Sequence, residues 1–346
     1  MFNMKKILLF LFLFFIFNLK VNASYVVFDQ ENFDVLQGEN IHEKNLIASI
    51  TKIMTAHIVI NNIKNLNDYI VVGDEVTKTY GSSIYLKKGE RIKVIDLLYG
   101  LILRSGNDAA LELALYTAGS VDSFVNLMND EVNKWGLKDT IFQNPTGLDD
   151  GDTYNISSAY DMAYITSKAM QNKLFRKIFK TKNYHVTTNL NEHIWSNKNK
   201  TLYMSKYITG GKTGYTKKAG RTLVSTSSKD GVNIVVVTLD FSDDFNFHVN
   251  SHNNIFKNYN RYLILNKTKL NINDNYYNKN GVKFYLKNNY HLLSRKETIK
   301  NVRIEYELYK LKKFTDNSIV GKVKVLNNSK EIYNTPIYIK RIKRRF

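Results

Sequence analysis

Apolar residues recur at helical spacing in three segments of the chain. The spacing predicts helices over residues 47–62, 108–118 and 121–135. Gly119-Ser120 separates the second helix from the third. In the first helix, the periodic apolar positions are Ile50, Ile53, Met54 and Ile58.

Strand patterns dominate the second half of the chain. Two apolar, β-branched runs, Arg221–Ser227 and Val232–Phe241, predict adjacent buried strands. From about Tyr262 the helical patterns stop, and over residues 302–309 apolar positions alternate with polar ones, as in a strand with one buried face. Asn327-Asn328-Ser329 predicts a turn between two further strands. The tail of the chain is therefore expected to be all β.

The N-terminus has the layout of a secretory signal peptide. Lys5 and Lys6 precede the apolar run Ile7–Phe17, and Val21-Asn22-Ala23 supplies small side chains where cleavage is expected. A retained membrane anchor is the alternative, but eleven unbroken apolar residues are fewer than the roughly 20 that a spanning helix needs. We therefore expect secretion across the cytoplasmic membrane.

These patterns divide the chain into three parts. We expect a signal peptide over residues 1–23, an α+β domain over 24–258 and a small all-β domain over 262–346. Removal of the signal peptide deletes three lysines and no acidic residue, so the net charge falls from +19 to +16. A positive mature chain favours binding to an anionic envelope surface.

Composition excludes several classes of protein. The absence of cysteine excludes a disulfide-stapled miniprotein, a Cys-ligated metal site and a thiol enzyme. The basic charge accompanies an abundance of Asn, Lys, Ile and Tyr throughout the chain, so it does not predict a nucleic-acid partner. The seven histidines form no His-Glu-x-x-His motif and no Gly-x-Ser-x-Gly is present, which removes the basis for a metallopeptidase or an α/β-hydrolase.

A candidate nucleophile lies at the start of the first predicted helix, in Ser49-Ile50-Thr51-Lys52. Residues three apart share a helical face, so the Lys52 amine can reach the Ser49 hydroxyl and act as its base if burial and nearby cations lower its pKa. Free backbone N–H groups at a helix N-terminus also favour a developing oxyanion. Alone, the pair is a weak signal, because lysine is common here and a surface serine with a solvated lysine at this spacing arises readily by chance.

Two further motifs carry polar groups of the same kind. Ser105-Gly106-Asn107 follows an apolar stretch and precedes a helix, so it offers a hydroxyl for proton relay and an amide for positioning, or simply a helix cap. Lys212-Thr213-Gly214 follows Gly210-Gly211 at the entry to the strand region. A cation beside a hydroxyl suits a carboxylate, and glycine allows a peptide to approach a strand edge. The alternative is a glycine-rich turn.

Together the three motifs have the order Ser-x-x-Lys, Ser-x-Asn, Lys-Thr-Gly of penicillin-binding proteins and class A β-lactamases. The mature chain closely resembles one family, the D-alanyl-D-alanine carboxypeptidases of peptidase family S11, which are low-molecular-weight penicillin-binding proteins of bacteria. The segments that carry this resemblance are Ala48–Thr55, Gly81–Ser83 with Gly89-Glu90, Asp96–Ala110, Phe142–Leu148, Ser158–Ala163, and Gly211–Thr216 with Ala219-Gly220.

The resemblance implies a β-lactamase/DD-peptidase-like catalytic domain, in which an antiparallel sheet has helices on both faces, followed by a β-rich domain. It implies that Ser49 is the acylated nucleophile, that Lys52 accepts its proton and that Ser105 relays a proton. The family removes the terminal D-Ala from peptidoglycan stem pentapeptides without a metal or a cofactor, so we expect D-Ala-D-Ala stem peptides and β-lactam antibiotics as partners.

The same resemblance implies the substrate-binding residues. Asn107 would position the substrate, and Lys212 with Thr213 would hold its carboxylate beside Gly214. The backbone N–H groups of Ser49 and Tyr215 would form the oxyanion hole.

Three other functions remain on the same scaffold. A β-lactamase of class A needs a Glu that activates the deacylating water, and no Glu-x-x-Leu-Asn segment lies between Asn107 and Lys212. A wall-binding protein with a decayed site would be expected to lack one of the motif residues. A DD-endopeptidase that cleaves cross-links would use the same residues and stays open.

The chain departs from the family pattern at two places. Arg221 directly follows Ala219-Gly220, where relatives often have a small residue. Many members end in an amphipathic helix that binds the membrane, whereas here five basic residues crowd the last seven positions. Such a tail can adhere to anionic lipid or teichoic acid, or it can be a solvated end, so anchoring stays open.

Overall fold

The computed structural model describes residues 23–149 and 151–341. Within it the chain forms two compact units. The first contains the residues up to 228 together with 233–252, and the second contains 229–232 and the residues from 253 onward.

Two predictions fall on the remaining residues. The signal peptide expected over residues 1–23 lies outside the described residues except for Ala23, and the basic tail does so from residue 342 onward. Among the described residues, no helix is both long and apolar enough to cross a bilayer.

The three helices predicted from apolar periodicity are present, with the first preceded by a 3-10 turn at Ala48–Thr51. Two further 3-10 segments lie at Asp74–Lys78 and Ile299–Asn301. The α-helices are α1 (Lys52–Asn62), α2 (Val94–Leu103), α3 (Asn107–Ala118), α4 (Val121–Lys134), α5 (Ala159–Ala169), α6 (Lys173–Lys180), α7 (Thr201–Met204), α8 (Asp244–Asn258) and α9 (Asn275–Lys279).

The strands alternate with these helices up to α8 and then follow one another almost without interruption. They are β1 (Ser24–Asp29), β2 (Asp34–Glu39), β3 (Asn45–Leu46), β4 (Tyr69–Val71), β5 (Arg91–Lys93), β6 (Ile156–Ser157), β7 (Asn183–Thr187), β8 (Glu192–Ser196), β9 (Ile208–Thr216), β10 (Gly220–Lys229), β11 (Val232–Leu239), β12 (Tyr259–Leu265), β13 (Val282–Tyr285), β14 (Tyr290–Arg295), β15 (Val302–Leu308), β16 (Ile319–Asn327) and β17 (Lys330–Arg341).

A five-stranded sheet forms the centre of the first unit, in the order β2-β1-β11-β10-β9. The predicted neighbours β10 and β11 are adjacent in it, and β9 forms an edge. Strands β9 and β10 are antiparallel, with Thr213 opposite Leu223 and Tyr215 opposite Arg221. The third motif therefore lies on an edge strand, where one side of the backbone is free to receive a ligand.

Helices cover both faces of this sheet, as predicted. Successive side chains of a strand point to opposite faces, and Val235 and Val237 of β11 belong to the main core with the helices. Thr238, on the other face, hydrogen-bonds His248 of α8 at 3.0 Å. Ser225 of β10 joins His248 (2.6 Å) to His252 (2.7 Å), so α8 is held to the sheet by buried polar contacts.

The second unit is rich in β-structure, in agreement with the all-β prediction. Strands β13-β17-β16-β15 form one sheet, and β12 pairs with β14. The predicted turn joins β16 to β17, where Asn328 and Ser329 both have positive φ (48° and 66°), the geometry that a two-residue hairpin requires. The expectation that helices end near Tyr262 missed the short helix α9, whose Tyr277 is buried in the core of this unit.

Candidate active site

Ser49 lies in the 3-10 turn that leads into α1. Its neighbours Ile47, Ile50 and Ile53 are fully buried in the core, so this turn is anchored by packing on both sides of the serine. Ala48 has a φ of 47°, a left-handed conformation that costs a residue with a Cβ roughly 1–2 kcal/mol. The turn holds the half-buried Ser49 side chain at the mouth of a cleft.

Lys52, one helical turn later, is completely buried. Its Nζ donates to Ser49 Oγ at 3.1 Å, to Asn107 Oδ1 at 2.8 Å and to the carbonyl of Thr146. Burial, reinforced by the nearby Lys198 ammonium and opposed by Asp108, lowers the pKa of Lys52 from 10.5 to about 7. A substantial fraction of the amine is therefore neutral near neutral pH, within hydrogen-bond distance of a hydroxyl.

Ser105 follows the end of α2 with a φ of 65° and is almost fully buried. Its Oγ has no hydrogen-bond partner in residues 23–149 or 151–341, although it lines the same cleft as Ser49. Asn107 begins α3 and donates through Nδ2 to the carbonyl of Tyr80 at 2.6 Å. Neither side chain caps the helix, so the capping interpretation does not describe this motif.

The Lys212-Thr213-Gly214 motif lies within β9, so it is not a turn. Thr213 and Gly214 line the cleft. A Cβ on Gly214 would lie 2.4 Å from Thr222 Oγ1 and 2.9 Å from the backbone nitrogen of Ser49, so only glycine lets the strand edge approach the nucleophile this closely.

Lys212 is buried behind the strand rather than exposed in the cleft. Its Nζ donates to the carbonyl of Thr213 at 2.6 Å. Burial and the charges of Lys52 and Lys198 hold the pKa of Lys212 well below its usual range. The charged form of Lys212 is therefore disfavoured in the empty site, while Thr213 lines the cleft itself.

The loop after residue 142 completes the site from below. Asn144 Oδ1 accepts from the backbone nitrogens of Thr146 (3.1 Å) and Gly147 (2.7 Å), and Asn155 donates to the Asn144 carbonyl at 2.9 Å. These bonds aim the Thr146 carbonyl at Lys52. Gly147 has a φ of 76°, and a Cβ there would lie 1.9 Å from the carbonyl oxygen of Ala48, which ties this loop directly to the nucleophile turn.

The cleft is a cavity of about 380 Å³ with a cationic wall. Arg221 donates to the buried Asp244 at 2.5 Å and lies 5.1 Å from the ring centre of Phe245, so its guanidinium is fixed in place. Lys198 donates to Ser82 Oγ at 3.0 Å. The cleft is lined by Ser49, Ser82, Ser105, Lys198, Lys200, Thr213, Gly214, Tyr215, Arg221, Asp244 and Phe245.

The structure therefore gathers the residues predicted from the three motifs at one site. Five of them line the cleft: Ser49, Ser105, Thr213, Gly214 and Tyr215. Lys52 and Asn107 lie beneath it, joined by their hydrogen bond, and Lys212 is close enough for its pKa to respond to Lys52.

Sequence reasoning missed three contributors to this site: Lys198, the Thr146 carbonyl and Asp108. Lys198 and Lys200 lie two residues apart shortly before β9. Solvent-exposed segments often have the same spacing of lysines, so it did not indicate a role in the site. A backbone carbonyl leaves no signal in the sequence. Asp108 directly follows Ser105-Gly106-Asn107, and this position beside the motif was the one sequence signal for its role in the site.

Comparison with known proteins agrees with this geometry. Residues 19–243 match the peptidase S11 family, described as D-alanyl-D-alanine carboxypeptidase. The chain belongs to this family. Residues 261–343 match the C-terminal domain of penicillin-binding protein 5. Members of the S11 family act on peptidoglycan substrates that end in D-Ala-D-Ala, and they bind β-lactams.

Individual relatives give the same result. The chain is 31% identical over 224 residues to D-alanyl-D-alanine carboxypeptidase DacF of Bacillus subtilis, covering 63% of this chain and 57% of DacF. It is 34% identical over 227 residues to DacA of Escherichia coli, covering 61% and 54%. These matches thus span little more than half the length of the curated relatives. Penicillin binding protein 5 of Haemophilus influenzae has a similar structure, with a TM-score of 0.77, 25% identity and coverage of 93% and 97%.

Proposed function

We propose that the chain is a serine-type D-Ala-D-Ala carboxypeptidase that removes the terminal D-Ala from peptidoglycan stem pentapeptides. The observation that carries this proposal is the contact of 3.1 Å between Lys52 Nζ and Ser49 Oγ, made by an amine whose pKa is about 7. A hydroxyl becomes a competent nucleophile when a neutral base lies within hydrogen-bond distance. The chemistry needs no metal and no cofactor.

Acylation begins when Ser49 Oγ attacks the carbonyl of the penultimate D-Ala and Lys52 takes the hydroxyl proton. The backbone N–H groups of Ser49 and Tyr215 stabilise the resulting oxyanion. Gly214 supports this assignment, since the strand edge comes so close to the Ser49 nitrogen that no side chain fits between them.

Collapse of the tetrahedral intermediate requires a proton for the leaving amine. Ser105 is suited to this relay because its buried Oγ lines the cleft and has no partner among the described residues, which leaves it free to bond the substrate. Asn107 is a positioning residue, since its side chain bridges Lys52 and the Tyr80 carbonyl. Water then hydrolyses the acyl-enzyme.

The carboxylate of the terminal D-Ala binds at the cationic wall. Thr213 offers a hydroxyl there, and Lys198, Lys200 and Arg221 line the same cleft. A bound carboxylate would favour the charged form of Lys212, which is buried behind the strand. A β-lactam carries a carboxylate at the equivalent end, so we propose the same subsite for β-lactam antibiotics. The three cations that line the cleft favour an anionic ligand at short range.

Of the alternatives, a β-lactamase receives little support. Asp244 is the one carboxylate among the described residues that line the cleft, and it is occupied by Arg221 at 2.5 Å. It is thus unsuited to activating a deacylating water. A decayed wall-binding protein would not need a neutral Lys52 beside Ser49.

We also propose that residues 1–23 direct secretion and that the mature protein acts at the cell envelope.

An intact-mass time course after mixing with penicillin tests the proposal. We expect a stoichiometric adduct that lasts minutes or longer, no adduct with Ser49→Ala, and a loss of several orders of magnitude in acylation rate with Lys52→Ala. Release of D-Ala from a pentapeptide is the matching activity assay. Rapid destruction of the drug without a lasting adduct would indicate a β-lactamase, and near-normal acylation of Lys52→Ala would contradict the role of that residue.

A further inference from the structure

Positive charge is concentrated in one segment of the chain. Residues 162–229 contain fourteen Lys and Arg residues and a single acid, Glu192, which hydrogen-bonds His185 at 2.7 Å. Residues 24–346 as a whole contain 47 basic and 31 acidic residues, so 33 basic and 30 acidic residues remain outside this segment. The rest of the mature chain is therefore close to neutral, and an overall abundance of lysine does not account for the asymmetry.

Helix α6 presents three lysines of this segment to solvent. Its apolar side, with Phe175 and Phe179, is buried in the core. Lys173 and Lys177 are four residues apart and Lys177 and Lys180 three, so these exposed side chains share the opposite face. The helix contains no acid in its sequence, and like charges at these spacings destabilise a helix. Burial of the apolar side thus holds together a row of charges that repel one another.

Helix α7 extends this row toward the catalytic cleft. The Nζ of Lys182, two residues after α6, lies 4.9 Å from the ring centre of Tyr203 on α7, and the Tyr203 hydroxyl donates to the Lys182 carbonyl at 3.4 Å. Lys206 follows α7 and is exposed. Directly before α7 is Lys200, which lines the cleft. We call the following exposed residues the α6–α7 surface: Lys173, Lys177, Lys180, Lys182, Tyr203, Met204 and Lys206.

Acidic residues are too few to balance the five lysines of the α6–α7 surface. None of these lysines forms an ion pair within residues 23–149 or 151–341. Helices α1 and α2 and strand β9 pack against α6, and among them only α2 contains an acid, the buried Asp96, which accepts from the Tyr184 hydroxyl at 2.5 Å. With Asp96 and Glu192 both counted, the surface still carries a net positive charge.

Two exposed apolar side chains lie among these charges. Tyr203 is 54% exposed and its neighbour Met204 is 45% exposed. On a phospholipid bilayer, ammonium groups reach the phosphates while aromatic and apolar side chains enter the headgroup layer. A soluble polyanion would bind the lysines but would leave Met204 in water. The combination of lysines with exposed apolar groups therefore favours a bilayer as the partner.

We propose that the α6–α7 surface binds the anionic phospholipid surface of the cell envelope and holds the catalytic cleft beside the membrane. The attachment is electrostatic and reversible, because α6 keeps its apolar side in the core and only Tyr203 and Met204 enter the headgroup layer. It differs from attachment through the basic C-terminal end of the sequence, since every residue of the α6–α7 surface belongs to the first unit.

The test is cosedimentation of residues 24–346 with lipid vesicles, since the apolar run in residues 7–17 would itself bind lipid. We expect binding to vesicles of phosphatidylglycerol and phosphatidylcholine, weakened by salt, and no binding to phosphatidylcholine alone. The triple variant Lys173→Gln/Lys177→Gln/Lys180→Gln should bind about 100-fold more weakly, because each lysine near such a surface contributes about fivefold. Met204→Ser should weaken binding at least about threefold through its lost apolar contact.

The matched control is Lys343→Gln/Arg344→Gln/Arg345→Gln, which removes the same charge from the C-terminal end of the sequence. We expect this variant to lose far less vesicle binding than the α6 triple variant. Acylation by penicillin in the absence of vesicles should stay within about twofold of wild type in the α6 triple variant, because none of its three lysines lines the cleft. That result also shows that the variant is folded.

Three results would overturn the inference. The first is a wild-type protein that does not bind the anionic vesicles, and the second is a loss in the C-terminal variant that equals or exceeds the loss in the α6 variant. The third is a soluble polyphosphate that binds as tightly as the vesicles while Met204→Ser behaves as wild type, which would indicate a soluble polyanion. A protein that binds vesicles but forms no penicillin adduct would contradict the proposed function alone.

Discussion

The basicity of Lys52 is set in part by Lys198, and this coupling gives a quantitative prediction. Lowering the pKa of a lysine from 10.5 to about 7 favours the neutral amine by about 5 kcal/mol. At pH 7 it raises the neutral fraction roughly a thousandfold over that of an ordinary lysine. The acylation rate of the wild-type protein should therefore fall as the pH drops below about 7 and level off above it.

Lys198→Ala removes one of the two causes that lower the pKa of Lys52. Burial is the larger cause and remains, while Lys198 is the second. Loss of this like charge raises the pKa, so the midpoint of the acylation profile should move upward by about one pH unit. At neutral pH the variant should consequently acylate more slowly, and it should recover at alkaline pH.

The assay is the second-order rate of penicillin acylation between pH 5.5 and pH 9.5, followed by intact mass. Lys200→Ala is the matched control, because Lys200 lines the same cleft but is not among the charges that act on Lys52. Both variants weaken binding of the penicillin carboxylate, which scales the whole profile, whereas only Lys198→Ala should shift its midpoint. Equal midpoints in all three proteins would refute the electrostatic argument.

Two further substitutions test the support of the site. Gly147→Ala should lower the acylation rate at least tenfold, because its Cβ would collide with the Ala48 carbonyl. Gly151→Ala, which also has positive φ but open space around it, should cost only backbone strain, and equal effects on acylation rate would contradict this reasoning. For His252, burial lowers the pKa to about 3, so the folded state stays neutral where the unfolded state takes up a proton. The free energy of unfolding should therefore decrease as the pH drops below about 6.5, by roughly 2–3 kcal/mol at pH 4.5. His252→Gln should flatten this dependence in chemical denaturation, exposed His185→Gln should not, and an unchanged slope in His252→Gln would count against it.

Much of the fold was predictable because its signals are local. The apolar periodicity that places Ile50 and Ile53 in the core also defines α1, and the spacing of Ser49 and Lys52 follows from a single helical turn. The adjacent strands β10 and β11 arise from β-branched runs that have no exposed face. Helix α9 escaped prediction because five residues carry too little periodicity to detect.

The parts of the site that were not predictable depend on distant segments. The Thr146 carbonyl reaches Lys52 across 94 residues of sequence, through a loop whose shape is set by Asn144 and Asn155. Lys198 reaches the cleft because its backbone nitrogen bonds the Leu103 carbonyl at the end of α2. Neither position can be inferred from spacing along the chain, since both depend on how the loops pack after the core has formed.

The site brings together three lysines, Lys52, Lys198 and Lys212, and this arrangement lowers the stability of the folded protein. Lys52 and Lys212 are buried, and each has its pKa lowered by the charge of Lys198. A fold selected only for stability would separate such groups, since like charges in a low dielectric repel strongly. In the empty cleft, burial together with this repulsion lowers the pKa of Lys52 to about 7, so a substantial fraction of the amine is neutral and able to accept the Ser49 proton. An anionic substrate reduces the repulsion among these lysines, so the site binds a carboxylate more tightly than it would if the lysines were further apart.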